Sequence, residues 1–534
     1  MPDGSGIVIA RNAHKKIHAP DLAQGLFDLR RELRSLGLTH PPLLAGAFAA
    51  DDPQPEDASG GRRFERPLYL YPIPTRPTSA VLSGDAPSGR IDGDREAEGA
   101  RRRGDGKGRA VRARVPDRGD LEPSRPRSNG RTLRVEAHAM TREQLTGQIK
   151  ARARALGFHG VGVTDVRPLQ EDEARYHRWL RQGWAADLRY MQTSASVRAH
   201  PMRVWPEARA ILVLAVNYYS GDFDPLPRGH GRIARYAWGR DYHDVIPLRL
   251  RRLVAEIEQL LGRPVRARWF TDAGPLLERA LARRAGLGRI GWNACLITET
   301  FGSWVFLSEL LLDVELVPDQ EETRACLSVF ECQRCCPTGA IASDGLVDAR
   351  LCLSYHTIEN RGAIPQPLRP KLGDWLFGCD ICQAVCPHNA RVPITDWPEF
   401  HPEAGVGKTL ALADVLAIAS EEEFRARFRG TALRRAKRRG LLRNAAIVAA
   451  NTGYDDVIPQ LRRLAREDPD EIVRGHALWA LHVLDPVRSR PLLERARRDP
   501  HPFVRQEAES ALEGESAGEA TTVAADPETI RDAS

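Results

Sequence analysis

Nine cysteines occur in the 534 residues, and eight of them fall between positions 326 and 386. One group reads CLSVFECQRCCP (326–337), a second reads CDICQAVCP (379–387), and Cys352 stands between them. Two-cluster ferredoxins carry the run C-x2-C-x2-C-x3-C-P, in which the last cysteine of each run ligates the other cluster. Laid back from Pro337, that run calls for cysteine at 336, 332, 329 and 326; three positions comply and the fourth is Val329. The second run is C-x2-C-x3-C-P. Crossover then gives one site, cluster B, the ligands Cys336, Cys379 and Cys382, completed by Cys352. Cluster A holds Cys326, Cys332 and Cys386 and lacks a fourth thiolate, since valine cannot bind iron. Cys335 could replace it if the loop is rebuilt, as could a water or a small thiol. Alternatively, Cys335 is a small buried residue. The competing chemistry for the whole set is zinc held by four thiolates, although zinc ribbons do not need two Cys-Pro endings. Crowded cysteines without a secretory signal point to metal rather than disulfides. The isolated Cys295, in GWNACLI, reads as a core residue.

Clusters of this kind move single electrons and need a site to deliver them to. No GxGxxG follows a strand with an acid downstream, and no P-loop occurs, so neither a dinucleotide nor a P-loop phosphate site is supported. The elements that would frame an acceptor site lie between 140 and about 315. HGVGVTDV (159–166), ARAILVLAVNYY (208–219) and VRARWFTD (265–272) are apolar, β-branched runs of strand type. DVIPLRLRRLVAEIEQLLG (244–262) has helical spacing and stops at glycine, and PLLERALARRAGLG (275–288) predicts a second helix entered through Pro275. TREQ (141–144) is a capping box for a helix ending near Gly157. Asp272 therefore falls at a strand–helix junction, where α/β sheets bind ligands. It is either an acid in an apolar site or the cap of the following helix.

Residues 1–139 are expected to be disordered or an artefactual extension: the segment from about 50 to 135 is rich in Gly, Pro, Arg, Asp and Ser, and only 22–37 has weak amphipathic spacing. Towards the other end, LLRNAAIVAA, EIVRGHALWAL and PFVRQEAESAL repeat at 31 residues, placing Arg443, Arg474 and Arg505 in register. Such units need neighbours to bury their faces and predict a HEAT-like α-solenoid over 401–514, followed by a disordered tail, 515–534. RARFRGTALRRAKRRGLLR (425–443) carries nine Arg or Lys in 19 positions, a density suited to phosphate, with Arg434, Arg435, Lys437, Arg438 and Arg439 at its centre. A solvated helix would show the same density. With 42% hydrophobic residues, a net charge of +7 and no apolar run of about 18, the chain reads as cytoplasmic and not membrane-spanning.

From Met140 to about 514 the chain resembles epoxyqueuosine reductases, cobalamin-dependent enzymes of queuosine tRNA modification. The resemblance rests on RYAWGRDYH (235–243), FTDAGPLLERALARRAGLGRIGWNACLI (270–297), GSWVFLSELLLD (302–313), CPTGAI (336–341), VDARLCLSYHTIEN (347–360), FGCDICQAVCPHN (377–389) and GTALRRAKRRGLLRNAAI (430–447), in family order. It implies an α/β cobalamin-binding domain (140–315), a ferredoxin-like domain with two [4Fe-4S] clusters (316–400) and HEAT-like repeats. It implies removal of the epoxide oxygen in a tRNA anticodon loop by a monomer served by an electron donor the sequence does not disclose. Asp272 would protonate the departing oxygen. Arg198, Tyr242, His243, Gly288 and Ser354 would contact or border the cofactor, and Tyr355 and Trp375 would stack on the turned-out base. His200 and Trp292 depart from the Asp and Lys that the family tends to have there. The alternatives are a reductive dehalogenase-like cobalamin enzyme, or a non-catalytic electron-transfer or scaffold relative.

Overall fold

The computed structural model describes residues 80–82, 140–327 and 329–522. The amphipathic stretch 22–37 and nearly all of the Arg-rich segment lie outside the described residues. The strands are β1 (Ala80–Leu82), β2 (Gly160–Thr164), β3 (Ala210–Asn217), β4 (His230–Ile233) and β5 (Ala267–Phe270). They continue with β6 (Arg289–Ile290), β7 (Leu296–Ile297), β8 (Val305–Leu312), β9 (Trp375–Phe377) and β10 (Thr409–Ala411).

The apolar runs predicted as strands form one five-stranded sheet, in the order β1-β5-β8-β3-β2. Strand β3 is buried along its whole length because both faces are covered. Ile211, Val213 and Ala215 face one core, shared with Trp179, Leu277 and Leu281. Ala210, Leu212, Leu214 and Val216 face another, shared with Ile149, Leu250 and Leu253 of the helices Arg142–Ala155 and Tyr242–Leu261. This is the two-residue period of a strand read out as two helical layers on one sheet. Two expectations are modified. Every pairing in this sheet is antiparallel, so Asp272 does not lie at the carboxyl edge of a parallel sheet. Within the stretch expected to lack structure, Ala80–Leu82 forms an edge strand against β5.

The helix Tyr242–Leu261 is capped by Asp241, whose carboxylate accepts from the His243 N–H, and ends at Gly262 in the left-handed region (φ 62°). The helix predicted from Pro275 starts later, at Glu278, and ends at Arg284. A second sheet, β10-β4-β9, positions the second cysteine run. Strand β9 leads directly into Gly378, which has φ 73° and whose missing Cβ would lie 2.4 Å from the Ala234 Cβ. Only glycine satisfies both the turn and that contact.

The repeats form helices Lys437–Asn451, Ile458–Glu467, Glu471–Leu484, Pro486–Ala496 and Pro502–Thr522. The last continues into the stretch expected to be a disordered tail. The 31-residue register has a physical cause. Arg474 donates to the carbonyls of Asp468 and Pro469 at 2.9 and 3.2 Å, and Arg505 donates to those of Asp499 and Pro500 at 2.8 and 2.9 Å. Each arginine ties its helix to the Asp-Pro turn before it. Arg443 instead is wholly buried and donates to the carbonyls of Asn360 and Gly362 at 2.9 and 2.6 Å, and also to that of His356, joining the first repeat helix to the cysteine-bearing region.

A cavity shared by an acid and four cysteines

Strand β5 ends at Phe270, and the chain bends sharply at Asp272, which sits at φ 50°. Asp tolerates this conformation better than most residues, and strain of this kind marks functional sites. The Asp272 carboxyl accepts a hydrogen bond from the Tyr242 hydroxyl. Tyr242 is held by stacking on Phe306, with ring centroids 4.1 Å apart. The helix after Asp272 has no side-chain cap, so the capping alternative is not what the carboxyl does. Asp272 faces a cleft of about 1300 Å³. Enclosure by protein pushes its pKa up, against the opposing pull of His243, the Tyr242 hydroxyl, Arg279 and Arg435. Glu278 and Glu309 are raised further by burial, and each repels the other and Asp272. Neither carboxyl oxygen of Glu309 has a hydrogen-bond partner, which suits a neutral acid better than a buried charge.

The same cleft is lined by Cys336, Cys352, Cys379 and Cys382, the four residues that sequence reasoning assigned to cluster B. Cys382 lies in the short helix Ile381–Ala384, and Cys352 precedes the helix Leu353–Ile358. The Ala340 N–H points at the Cys336 Sγ at 3.3 Å. Burial holds Cys379 and Cys382 well above the ordinary thiol range and Cys352 at about 11. Thiols in that state become ligands when a cationic cluster offsets their charge. Asp380, between two of them, is buried against Arg235, with its Oδ2 accepting from the backbone N–H at 2.8 Å and from the guanidinium at 3.3 Å. Its burial outweighs that attraction and raises its pKa.

A second cavity, of about 310 Å³, is lined by Cys326, Cys332 and Cys386, the cluster A residues, together with Trp292, Val329 and His388. Cys332 lies in the helix Glu331–Arg334, the counterpart of Ile381–Ala384 in the other run. Cys335 ends that helix and lines neither cavity. All nine cysteines are free of disulfides. Among the described residues no three His, Cys, Asp or Glu converge on a single-ion site. The thiols ring two cavities instead.

Other expected contacts fall in different places. Ser354 lines the cleft beside Cys352. Arg198 does not. Its Nε donates to Ser194 at 2.8 Å and its NH1 to the carbonyls of Gly274 and Leu276 at 3.4 and 3.3 Å, so it braces the loop that follows Asp272. His200 pairs with Glu173 at 2.8 Å. His243 pairs with Asp241 at 2.6 Å and packs on the Tyr242 ring, behind the cleft wall. Gly288 was expected to open room for a cofactor. The space beside it is already filled by the Ile297 carbonyl oxygen, 2.3 Å from where a Cβ would stand, so the glycine serves the β6–β7 hairpin. Tyr355 and Trp375 are buried in hydrophobic cores and not displayed for stacking.

Three of the five basic residues at the centre of the stretch are turned inward. Arg435 pairs with Glu359 at 2.5 and 2.8 Å, Arg438 is buried against Asp468, and Arg439 bonds Asp470 and Glu471. Arg434 and Lys437 are exposed. The cleft also contains residues that sequence reasoning missed or set aside. Tyr218, Tyr236, Glu278 and Asn293 were given no role, and Cys295, read as core, lines the cleft with the cluster B cysteines.

An acid and the four cysteines of one cluster site on one cleft, with a second cysteine-lined cavity, define an iron–sulfur oxidoreductase with a helical-repeat appendage. Comparison with known proteins agrees part by part. Residues 198–273 match the family described as Epoxyqueuosine reductase QueG, DUF1730, residues 325–389 the 4Fe-4S double cluster binding domain, and residues 428–513 HEAT repeats. The chain is 38% identical over 340 residues to the epoxyqueuosine reductase of Xanthomonas campestris, covering 62% of this chain and 94% of that one. It is 39% identical over 344 residues to that of Pseudomonas aeruginosa, with 63% and 94% covered. Among solved structures, an epoxyqueuosine reductase with an epoxyqueuosine-modified tRNA-Tyr stem loop superposes with a TM-score of 0.64 at 28% identity, covering 69% of this chain and 98% of that one. A Bacillus subtilis epoxyqueuosine reductase, with its catalytic aspartate loop swung out of the active site, gives 0.62 at 27% identity with the same coverage. The chain belongs to the epoxyqueuosine reductase family.

Proposed function

We propose that the protein reduces epoxyqueuosine to queuosine in the anticodon loop of tRNA, with electrons relayed through iron–sulfur clusters. One observation carries the reading: the acid Asp272 and the four cluster B cysteines line the same cleft. Opening an epoxide to an alkene and water takes two electrons and two protons. Cys336, Cys352, Cys379 and Cys382 would hold a cluster able to supply single electrons to the cleft, and Cys326, Cys332 and Cys386 would hold most of a second one. Asp272 gives one proton to the departing oxygen. Burial raises its pKa and so favours the protonated form that can give this proton. Tyr242 fixes the carboxyl's orientation, and Arg198 fixes the loop behind it.

The cleft fits cobalamin. Its walls are largely apolar and aromatic, with Tyr218, Tyr236, Phe306, Leu296 and Leu307 to pack on a corrin and Asn293 and Ser354 to bond its amides. Bound there, cobalamin would supply a strongly reducing, nucleophilic metal towards the epoxide carbon. The exposed Arg434 and Lys437 would meet tRNA phosphates near the cleft mouth. Against burial, hydrogen bonds and charge from His243, and last Arg434, hold the Asp241 carboxyl below its usual range, and the Arg435 charge acts on Asp272. The solved relative carrying a tRNA stem loop supports tRNA as the partner.

Titration of purified, cluster-loaded protein with cobalamin tests the cleft assignment. A saturable change in the corrin absorption spectrum, weakened in Leu307→Trp, is the expected result. Binding unaffected by a bulky group in the cleft would reject the site.

A further inference from the structure

We infer that His388 supplies the fourth ligand of cluster A. The inference rests on cluster A assembling as proposed above, but its test does not use tRNA. Three thiols, Cys326, Cys332 and Cys386, share a cavity with Val329 and His388. Val329 has no donor atom and is 42% exposed. The His388 Nε2 is shielded from solvent and has no hydrogen-bond partner. A buried imidazole nitrogen left unbonded is disfavoured, and here His388 borders a site short of one ligand. Imidazole is an established alternative to thiolate at iron–sulfur clusters and suits iron.

The backbone around His388 is pinned in place. The Asn389 side-chain carbonyl accepts from the Ser303 N–H at 2.7 Å, and its amide donates to the Ser303 hydroxyl and the Gln383 carbonyl, both at 2.8 Å. Gly302 lies so close that a Cβ there would meet the His388 carbonyl oxygen at 2.8 Å. The ring is thus presented from the short turn Pro387–Asn389, directly after a cluster A cysteine. Cys335, the substitute that the spacing suggested, ends its helix outside this cavity. A neutral imidazole in place of a thiolate leaves the cluster one unit more positive, which raises its potential.

The full-length protein is reconstituted anaerobically with iron and sulfide, with and without 15N-histidine. Iron content is measured, and the reduced clusters are studied by pulsed EPR. The expected result is about eight irons per chain, for two four-iron clusters, with one cluster showing a directly coordinated nitrogen whose coupling changes with the isotope. His388→Ala removes that coupling and leaves a cluster that oxidises to a three-iron form. His388→Cys keeps the iron, loses the nitrogen and lowers the potential. Eight irons with no nitrogen coupling, four irons only, or loss of cluster A in Cys335→Ala but not in His388→Ala would each overturn the assignment. The wild-type isotope measurement decides the matter even if a variant fails to fold. A failure here leaves tRNA turnover to be judged separately, and the reverse also holds.

Discussion

At the scale of single residues, the protein turns on the environment of Asp272. Replacing it by Asn keeps the shape and removes the proton, so single-turnover reduction should fall by at least about 100-fold, the usual contribution of a positioned acid. The wild-type rate should be flat at low pH and fall as pH rises through the raised pKa of this carboxyl, while the residual rate of Asp272→Asn should lack that step. Stability follows the same linkage. The folded pKa lies above the unfolded one, near 3.9, so the acid's contribution is present below that value and is lost as pH rises through the folded pKa. Asp272→Asn should therefore melt above the wild type at pH 8 and no higher at pH 4, as calorimetry can check. The place of Asp272 just after a strand was legible in the sequence because a strand-like run stops beside it. Glu309, Tyr218 and His388 were not, because each is a lone residue whose role comes from what the fold brings alongside it. At Gly288 the glycine signalled a close approach, and the group that approaches is the Ile297 carbonyl.

At the scale of elements, the cysteine runs were the most readable part of the chain, since their spacing is itself the ligand geometry. What spacing could not show is how the runs are aimed. Strand β9 and Gly378 aim the second run, and Gly378→Ala meets both a left-handed backbone and the Ala234 Cβ at 2.4 Å. That variant should lose cluster B iron and its EPR signal. Main-sheet strands were legible from their apolar runs, but their direction was not, because continuous burial also marks parallel sheets. The repeat was visible as aligned arginines and alanines. Its cause, arginine binding the preceding Asp-Pro turn, needed coordinates.

At the scale of the whole molecule, charge density did not separate surface from scaffold. Of the five basic residues expected to face tRNA, Arg435, Arg438 and Arg439 hold acidic partners within the protein. Replacing Arg434 and Lys437 together by Ala should weaken tRNA binding at all sequences and reduce its salt dependence by roughly two released counterions. Arg438→Ala should instead leave the Asp468 carboxylate buried without its cation, with only the Asp470 N–H still bonded to it, costing about 3–5 kcal/mol of stability, seen as a lowered denaturation midpoint. The central claim is that one cleft joins these parts into a tRNA reductase. The most direct measurement is anaerobic incubation of cluster-loaded protein, cobalamin and a low-potential reductant with epoxyqueuosine-containing tRNA, followed by nucleoside mass spectrometry. Conversion to queuosine that is abolished in Asp272→Asn is the predicted result. No queuosine from protein carrying both clusters and cobalamin, or undiminished conversion in Asp272→Asn, would contradict it.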